Sequence, residues 1–249
     1  MSEEAALDIR DLRLTYGGVH AIAGVSVSFA SGGINAIVGP NGAGKTSLFN
    51  VISGHVKPTS GSIRQRGKEI GGKPPNYITR SGLSRTFQIP ALFPNLTVRE
   101  NIQAALISYN HKEWNMVTYA TPFLRNEANL LIDLLGLYEE RNEYVRQLSY
   151  GDRRILDIGM ALAQQPRILL LDEPTQGVAA EEVDRLIGII NTYVKERKLT
   201  VLFTEHDMNS VRQIAERVIV MRAGQIVLDG DPDTVMESQI IKEVYFSSH

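Results

Sequence analysis

The segment Gly39–Thr46 constrains the fold of this chain more than any other part of the sequence. It reads Gly-Pro-Asn-Gly-Ala-Gly-Lys-Thr and fits the pattern G-x-x-x-x-G-K-[ST] at every fixed position. A short apolar run, Ile34–Val38, precedes it, and apolar residues at helical spacing follow it: Leu48, Phe49, Val51 and Ile52. A strand, a glycine-rich loop and a helix in this order begin a phosphate-binding α/β unit.

The residue types in this loop suit a nucleoside triphosphate. Glycines allow successive backbone N–H groups to point at one phosphate, and the following helix adds its positive end. Lys45 supplies a charge for the β- and γ-phosphates, and the Thr46 hydroxyl is a hard oxygen ligand for Mg²⁺. The residues of this loop expected to bind the nucleotide are Gly39, Asn41, Gly42, Ala43, Gly44, Lys45, Thr46 and Ser47.

Length and composition exclude several classes of protein. The 249 residues are 43% apolar and 22% charged, which argues against a disordered or fibrous chain. The lack of cysteine excludes disulfides and thiolate sites, and 26 basic against 28 acidic residues argue against nucleic acid as a partner. No apolar run approaches the roughly 20 residues that cross a bilayer, and the acidic start does not resemble a secretory signal. We therefore expect a soluble cytoplasmic protein that reaches a membrane only through a partner.

The hydrophobic pattern changes along the chain. Residues 7–29 alternate apolar and polar positions as strands do, whereas apolar residues recur at helical spacing from Thr97 to about Gln165. Three later apolar runs, separated by stretches of helix length, favour a parallel sheet: Ile168–Leu171, Val201–Thr204 and Val218–Met221. The sequence thus predicts an α/β fold with an antiparallel β subdomain and an inserted helical subdomain. The expected division of a single domain 1–249 is residues 1–94 and 166–249 for the core with the β subdomain, and 95–165 for the helical part.

One apolar strand is predicted to end in two carboxylates, Asp172 and Glu173. Alone, this pattern is equally typical of a solvated strand end. Ligands of open α/β sheets bind at the carboxyl ends of the strands, so these residues are expected to reach the same phosphates as the glycine-rich loop. Asp172 would hold the Mg²⁺ shell through water, and Glu173 could polarise the attacking water as a general base.

A second helix start has the features of an anion site. Within Leu148–Asp152, Ser149 and Gly151 offer an N-cap hydroxyl and exposed N–H groups before a helical stretch. A plain helix cap is the alternative interpretation. Because one domain binds one triphosphate, the second helix start suggests a nucleotide held by another subunit.

Taken together, these features resemble the nucleotide-binding subunits of ATP-binding cassette (ABC) transporters, over essentially the whole chain. Leu148–Asp152 resembles the family signature LSGGQ. Gln88, after a predicted strand Leu83–Phe87, matches the glutamine that senses Mg²⁺ and the membrane partner. His206 matches the histidine that contacts the γ-phosphate, and Tyr16 the aromatic residue on which adenine stacks.

The resemblance implies a P-loop NTPase core of the RecA-like kind that uses ATP and Mg²⁺. The residues that it places in catalysis are Lys45, Glu173 and His206, and those that it places at the metal are Thr46, Gln88 and Asp172. Two such subunits, identical or sister chains, sandwich two ATP molecules head to tail, so that Ser149 and Gly151 complete the partner's site. Closure reorients transmembrane permease subunits, and an extracytoplasmic solute-binding protein takes part indirectly. The chain would lie on the inner face of the cell membrane through the permease.

Two positions depart from the family pattern. Asp152 stands where the signature usually ends in Gln, and its charge near the partner's phosphate could be compensated by Arg153. Ala179 replaces the aspartate that helps to couple the two sites across the dimer. Weaker affinity for ATP on the signature side and altered communication between the sites are therefore expected.

The kind of transporter is indicated by three segments that resemble importers of branched-chain amino acids, urea and related amides: Arg85–Gln88, Leu92–Asn101 and Thr204–Met208. The segment from Pro90 onward is expected to receive a helix of the permease. Leu92, Phe93 and Leu96 could be exposed anchors there or, equally, core residues. The solute itself never touches such a subunit, so its identity is not written in this sequence.

Two other function classes stay open on the sequence. A soluble ABC ATPase acting on a ribosome or DNA would have duplicated cassettes, a coiled-coil insert or a basic face, and none is evident here. A P-loop kinase for a small molecule would leave the signature segment without a role. The favoured function is an ATPase subunit that energises a membrane importer.

Overall fold

Within residues 5–109 and 123–246, which the computed structural model describes, ten strands form two sheets and nine α-helices pack with them. The strands are β1 Leu7–Tyr16, β2 Val19–Phe29, β3 Ile34–Val38, β4 Ser60–Gln65, β5 Lys68–Glu69, β6 Leu83–Arg85, β7 Ile168–Asp172, β8 Thr200–Thr204, β9 Arg217–Arg222 and β10 Gln225–Gly230. The helices are α1 Lys45–Ile52, α2 Pro75–Arg80, α3 Val98–Tyr109, α4 Phe123–Leu134, α5 Tyr150–Ala163, α6 Ala180–Arg197, α7 Met208–Ile214, α8 Pro232–Glu237 and α9 Gln239–Phe246. No helix in this described part combines the length and the apolar character that a membrane span needs.

The larger sheet has the strand order β10-β9-β3-β8-β7-β6. Neighbouring strands from β9 to β6 pair in parallel, and β10 returns antiparallel to β9. Parallel neighbours need crossover connections, which the helices supply. The prediction of a parallel sheet is therefore confirmed. Because the strands run the same way, β3, β8, β7 and β6 all end at one edge of the sheet.

Both faces of this sheet are buried. In β3, Ile34, Ala36 and Val38 belong to one hydrophobic cluster and Ile37 to another, as the alternation of side chains in a strand requires. Helices α3, α4, α5 and α6 contribute to the first cluster, and α1 with the smaller sheet to the second. Every residue of β3, β7 and β8 is buried, which explains why these strands read as continuous apolar runs.

The smaller sheet is antiparallel, with the order β2-β1-β4-β5. It confirms the β-rich pattern of residues 7–29 and forms a layer against α1. Helices α3, α4 and α5 lie within the predicted helical part, and their buried side chains belong to the same cluster as one face of the larger sheet. The boundaries proposed for the helical part at residues 95 and 165 stay a prediction.

Candidate functional site

The glycine-rich loop joins β3 to α1 at the carboxyl edge of the larger sheet. Gly39, Gly42 and Gly44 have positive φ angles of 151°, 81° and 103°. A side chain at Gly39 would collide with the Met221 carbonyl, and one at Gly44 would lie 2.5 Å from the Ala21 carbonyl. Only glycine fits these two positions, so the tight curl of the loop follows from the sequence.

The loop is held in place by the hairpin between β9 and β10. The Ala43 carbonyl accepts from the Gly224 N–H at 2.9 Å, and the Ala43 N–H donates to the Pro40 carbonyl at 3.1 Å. Ala43 is buried, whereas Asn41 and Thr46 are exposed. Of the predicted phosphate-binding residues, Asn41, Gly42 and Thr46 are therefore exposed, whereas Gly39, Ala43 and Lys45 are buried.

Lys45 is almost completely buried, with 6% of its surface exposed. Its Nζ donates to the Gly39 carbonyl at 2.6 Å and to the Pro40 carbonyl at 3.2 Å. Burial lowers the pKa of Lys45, while the nearby carboxylates of Glu173 and Asp172 act in the opposite direction. The ammonium thus sits in a weakly solvated place, where its attraction to a phosphate is strong.

Asp172, at the end of β7, is held from two sides. Thr204 Oγ1 donates to its Oδ1 at 2.7 Å, and Arg85 Nη2 lies 3.2 Å from its Oδ2. The buried Arg85 also donates to Asn50 Oδ1 and Ser53 Oγ. Burial lowers the pKa of Arg85, and Asp172 opposes this shift. The sequence does not reveal this contact of Arg85, because Arg85 and Asp172 are 87 residues apart and end two different strands.

Glu173 lies between two other predicted site residues. Its Oε1 is 2.7 Å from His206 Nε2, and its Oε2 accepts from Gln88 Nε2 at 3.1 Å. The Glu173 backbone has a φ of 48°, a left-handed conformation that is uncommon outside glycine and tends to cluster at functional sites. The structure therefore brings together residues that follow β6, β7 and β8.

A buried carboxylate that the sequence analysis did not assign supports this arrangement. Glu205 is 3% exposed, and its Oε1 accepts from Thr175 Oγ1 at 2.5 Å and from the Thr175 N–H at 3.0 Å. Its Oε2 accepts from the His206 N–H at 3.1 Å. Glu205 thus joins the loop after β7 to the loop after β8.

The strand before Gln88 is shorter than its pattern predicts. It ends at Arg85 rather than at Phe87. The carbonyls of Phe87 and Gln88 accept hydrogen bonds from Arg154 Nη1, at 2.6 Å and 3.0 Å, rather than from a strand partner. Arg154 belongs to α5, so this end of the strand depends on a contact distant in sequence.

Ser149 and Gly151 form a second cluster at the start of α5. The Asp152 N–H donates to Ser149 Oγ at 3.0 Å, which is the predicted N-cap. The Ser149 hydroxyl also lies 2.8 Å from Asp152 Oδ2 and 3.2 Å from Glu182 Oε1. An added Cβ at Gly151 would meet the carboxylate end of the flexible Glu182 side chain, which would have to move aside.

The negative charge of Asp152 is compensated, but not by Arg153, so the predicted pairing with Arg153 is wrong. Arg185, from α6, forms the ion pair with Asp152. The Nε of Arg153 donates instead to the Ser149 carbonyl at 3.3 Å. This pairing was not visible in the sequence because Asp152 and Arg185 lie on different helices.

Tyr16 and the predicted permease anchors lie at the edge of this region. Tyr16 ends β1 and is 47% exposed, in a hairpin whose second strand reaches the glycine-rich loop through the Ala21 carbonyl. Phe93 is 50% exposed, whereas Leu92 packs against the hydrophobic core. Leu96 is half-buried. The exposed Phe93 therefore fits the interpretation as an anchor for the permease, whereas Leu92 fits the interpretation as a core residue.

The donor atoms present fit Mg²⁺ as a cation shared with a nucleotide. Among the described residues, no group of three His, Asp or Glu side chains could hold a metal ion by itself. Mg²⁺ in nucleotide sites is bound by one or two carboxylates together with the phosphates of the substrate. The Thr46 hydroxyl, the Asp172 carboxylate and the Gln88 amide oxygen are hard donors of the right kind for such a partial shell.

Comparisons with known proteins agree with this geometry. A family model described as ABC transporter matches residues 22–176. The high-affinity branched-chain amino acid transport ATP-binding protein BraF of Pseudomonas aeruginosa is 35% identical over 248 residues, covering 96% of each chain. The protein LivG of Escherichia coli, which has the same description, is 33% identical over 250 residues, again with 96% of each chain covered.

A solved structure gives the same result for the fold. The ADP conformation of MJ1267, an ATP-binding cassette of an ABC transporter, superimposes with a TM-score of 0.87 at 28% identity, covering 98% of this chain and 99% of that one. The predicted P-loop NTPase fold is thereby confirmed. The chain belongs to the ABC transporter family, and it is one of the family's ATP-binding, ATP-hydrolysing proteins.

Proposed function

We propose that this chain is the ATP-hydrolysing subunit that energises a membrane importer for branched-chain amino acids, urea or related small polar solutes. The names of BraF and LivG support the transport of branched-chain amino acids. One observation carries the catalytic part of the proposal: the Glu173 carboxylate is held between Gln88 and His206, beside the glycine-rich loop.

ATP would bind along the carboxyl edge of the sheet. Lys45 and the exposed N–H groups of the loop would hold the phosphates, and the half-exposed ring of Tyr16 would stack on adenine. Thr46, Asp172 and Gln88 would hold Mg²⁺ together with the nucleotide's phosphates, and the cation would supply neutralisation of the charge that develops there.

Glu173 would act as the general base that polarises the attacking water. A base must lie within hydrogen-bond reach of the proton that it accepts, and the contacts with Gln88 and His206 fix the direction of this carboxylate. His206 would also contact the γ-phosphate. The remaining catalysis is positioning and charge stabilisation, as is usual for phosphoryl transfer.

The partners proposed for the chain are a second ATPase subunit, identical or sister, and transmembrane permease subunits. Ser149 and Gly151 would complete the ATP site of the second subunit, because they lie at a helix N-terminus in a cluster of their own. The exposed ring of Phe93 would contact the permease. The chain would thus lie on the inner face of the cell membrane and act indirectly with an extracytoplasmic solute-binding protein.

The variant Glu173→Gln tests the catalytic assignment. The amide cannot accept a proton, so steady-state release of phosphate should fall at least about 100-fold, while binding of a fluorescent ATP analogue should persist. Glu237→Gln, an exposed change on α8, is the control and should keep the wild-type rate. Hydrolysis at the wild-type rate by Glu173→Gln would show that another group is the base.

A further inference from the structure

Arg154 is the largest fully buried side chain among the described residues, with 1% of its surface exposed. Its guanidinium donates to four backbone carbonyls. Nη1 bonds to Phe87 at 2.6 Å and to Gln88 at 3.0 Å. Nη2 bonds to Asp172 at 2.8 Å and to Glu173 at 2.7 Å. A planar fork of donors can bridge two separate loops in this way, whereas a lysine offers a single compact charge.

These four carbonyls belong to the backbone at and next to Gln88 and Glu173, whose side chains lie in the hydrolytic site. One pair orients the backbone at Gln88, and the other orients the end of β7 at Glu173. Burial of an unpaired charge is costly, and an apolar side chain often fills such a place at no loss of stability. A buried guanidinium at this position is therefore better explained by the geometry that it imposes than by packing.

The helix that carries Arg154 supplies a second contact to the same loop. Asp157, one turn later on the same face of α5, is buried, and its Oδ1 accepts from the Ala91 N–H at 3.2 Å. The loop that carries Gln88 is thus held from α5 on both sides of that residue. The same helix begins at Ser149, in the cluster proposed to act on the partner's nucleotide.

We propose that Arg154 is a positioning residue for ATP hydrolysis, which ties the start of α5 to the backbone that carries Gln88 and Glu173. This inference rests on the function proposed above. Movement of α5 at the partner's nucleotide would pass through this guanidinium to the chain's own hydrolytic carboxylate.

The test compares Arg154→Lys and Arg154→Met with Ile155→Val, a control that loosens a buried neighbour on the same helix. Misplacement of catalytic groups by 1 Å can cost a factor of about 100, so kcat of both Arg154 variants should fall about 10- to 100-fold. Affinity for a fluorescent ATP analogue should stay within about twofold, because the glycine-rich loop is unchanged. Ile155→Val should keep its kcat despite a lower Tm.

A double-variant cycle separates positioning from general damage. If Arg154 acts partly through Glu173, adding Arg154→Lys to Glu173→Gln should lower the single-turnover rate by a smaller factor than adding it to the wild type does. Equal losses in both backgrounds, a kcat for Arg154→Lys within about twofold of wild type, or failure of both Arg154 variants to fold would overturn the inference. Hydrolysis at the wild-type rate by Glu173→Gln alone would instead refute the proposed function.

Discussion

Buried charges are the residues that hold this site in shape. The side chains of Arg85, Arg154 and Glu205 are each buried and use several hydrogen bonds to fix a loop or a carboxylate. Removing one partner of a buried ion pair typically costs about 3–5 kcal/mol, because the remaining charge stays buried and unpaired. The precision of the site therefore depends on residues that never need to touch the nucleotide.

Asp157 gives a prediction about pH. Burial raises its pKa from 3.8 to about 6, partly opposed by the Ala91 N–H and Arg154. The folded state therefore binds this proton more tightly than the unfolded state. The contribution of Asp157 to stability is present below about pH 4 and is lost as the pH rises through about 6. Asp157→Asn, which keeps an acceptor for Ala91, should be more stable at pH 7 by up to about 3 kcal/mol.

Urea unfolding at pH 4.5 and pH 7 (roughly the two ends of that window) checks this expectation. The variant should lose less stability than the wild type between the two values. Asp133→Asn, an exposed change on α4, is the control and should follow the wild type. If Asp157→Asn also follows the wild type, the side chain is not the titrating group.

The elements around the site were predictable to different degrees. Three strands of the larger sheet could be predicted from the sequence, β3, β7 and β8, because strands buried on both faces are continuous apolar runs. The end of β6 was not, since Arg154 takes the carbonyl of Phe87 from a helix distant in sequence. Asp152 shows the same limit: its partner Arg185 comes from another helix. A sequence pattern reports on residues that are close together along the chain, whereas these contacts join residues that are far apart in sequence.

Two glycines within helices, Gly159 and Gly188, give a matched pair of predictions about stability. A side chain at Gly159 in α5 would collide with Leu135, whereas nothing lies within 4 Å of one at Gly188 in α6. Gly159→Ala should destabilise the protein by about 1–3 kcal/mol, because overpacking outweighs the gain in helix propensity. Gly188→Ala should stabilise it by about 0.4–1 kcal/mol. Thermal unfolding measures both, and equal shifts of the same sign would contradict the packing argument.

The whole molecule is proposed to work as one half of a pair of sites. If the partner is a second copy, each site combines the glycine-rich loop of one subunit with the Ser149 cluster of the other. Mixing Lys45→Met with Ser149→Arg should then restore hydrolysis, because the mixed dimer keeps one intact site. Random pairing places half of the chains in such dimers, which predicts about one quarter of the wild-type rate.

Each variant alone should be inactive, and a mixture of Lys45→Met with Lys45→Arg is the matched control without an intact site. The measurement is phosphate release at a concentration where the wild type is fully active. Activity of Ser149→Arg alone, or no recovery in the mixture although both variants fold and the wild type is a homodimer, would show that the two sites are not shared head to tail.

The sequence by itself determined the class of this protein and where its phosphate site lies. Glycines with forced positive φ, a lysine at a fixed spacing and carboxylates after an apolar strand are local features, and local physical chemistry fixes their meaning. The tertiary structure alone decided how Gln88, Glu173 and His206 meet, and which buried groups hold them. Those contacts join loops far apart in the chain, which meet because β6, β7 and β8 pair side by side in the larger sheet and end at the same edge.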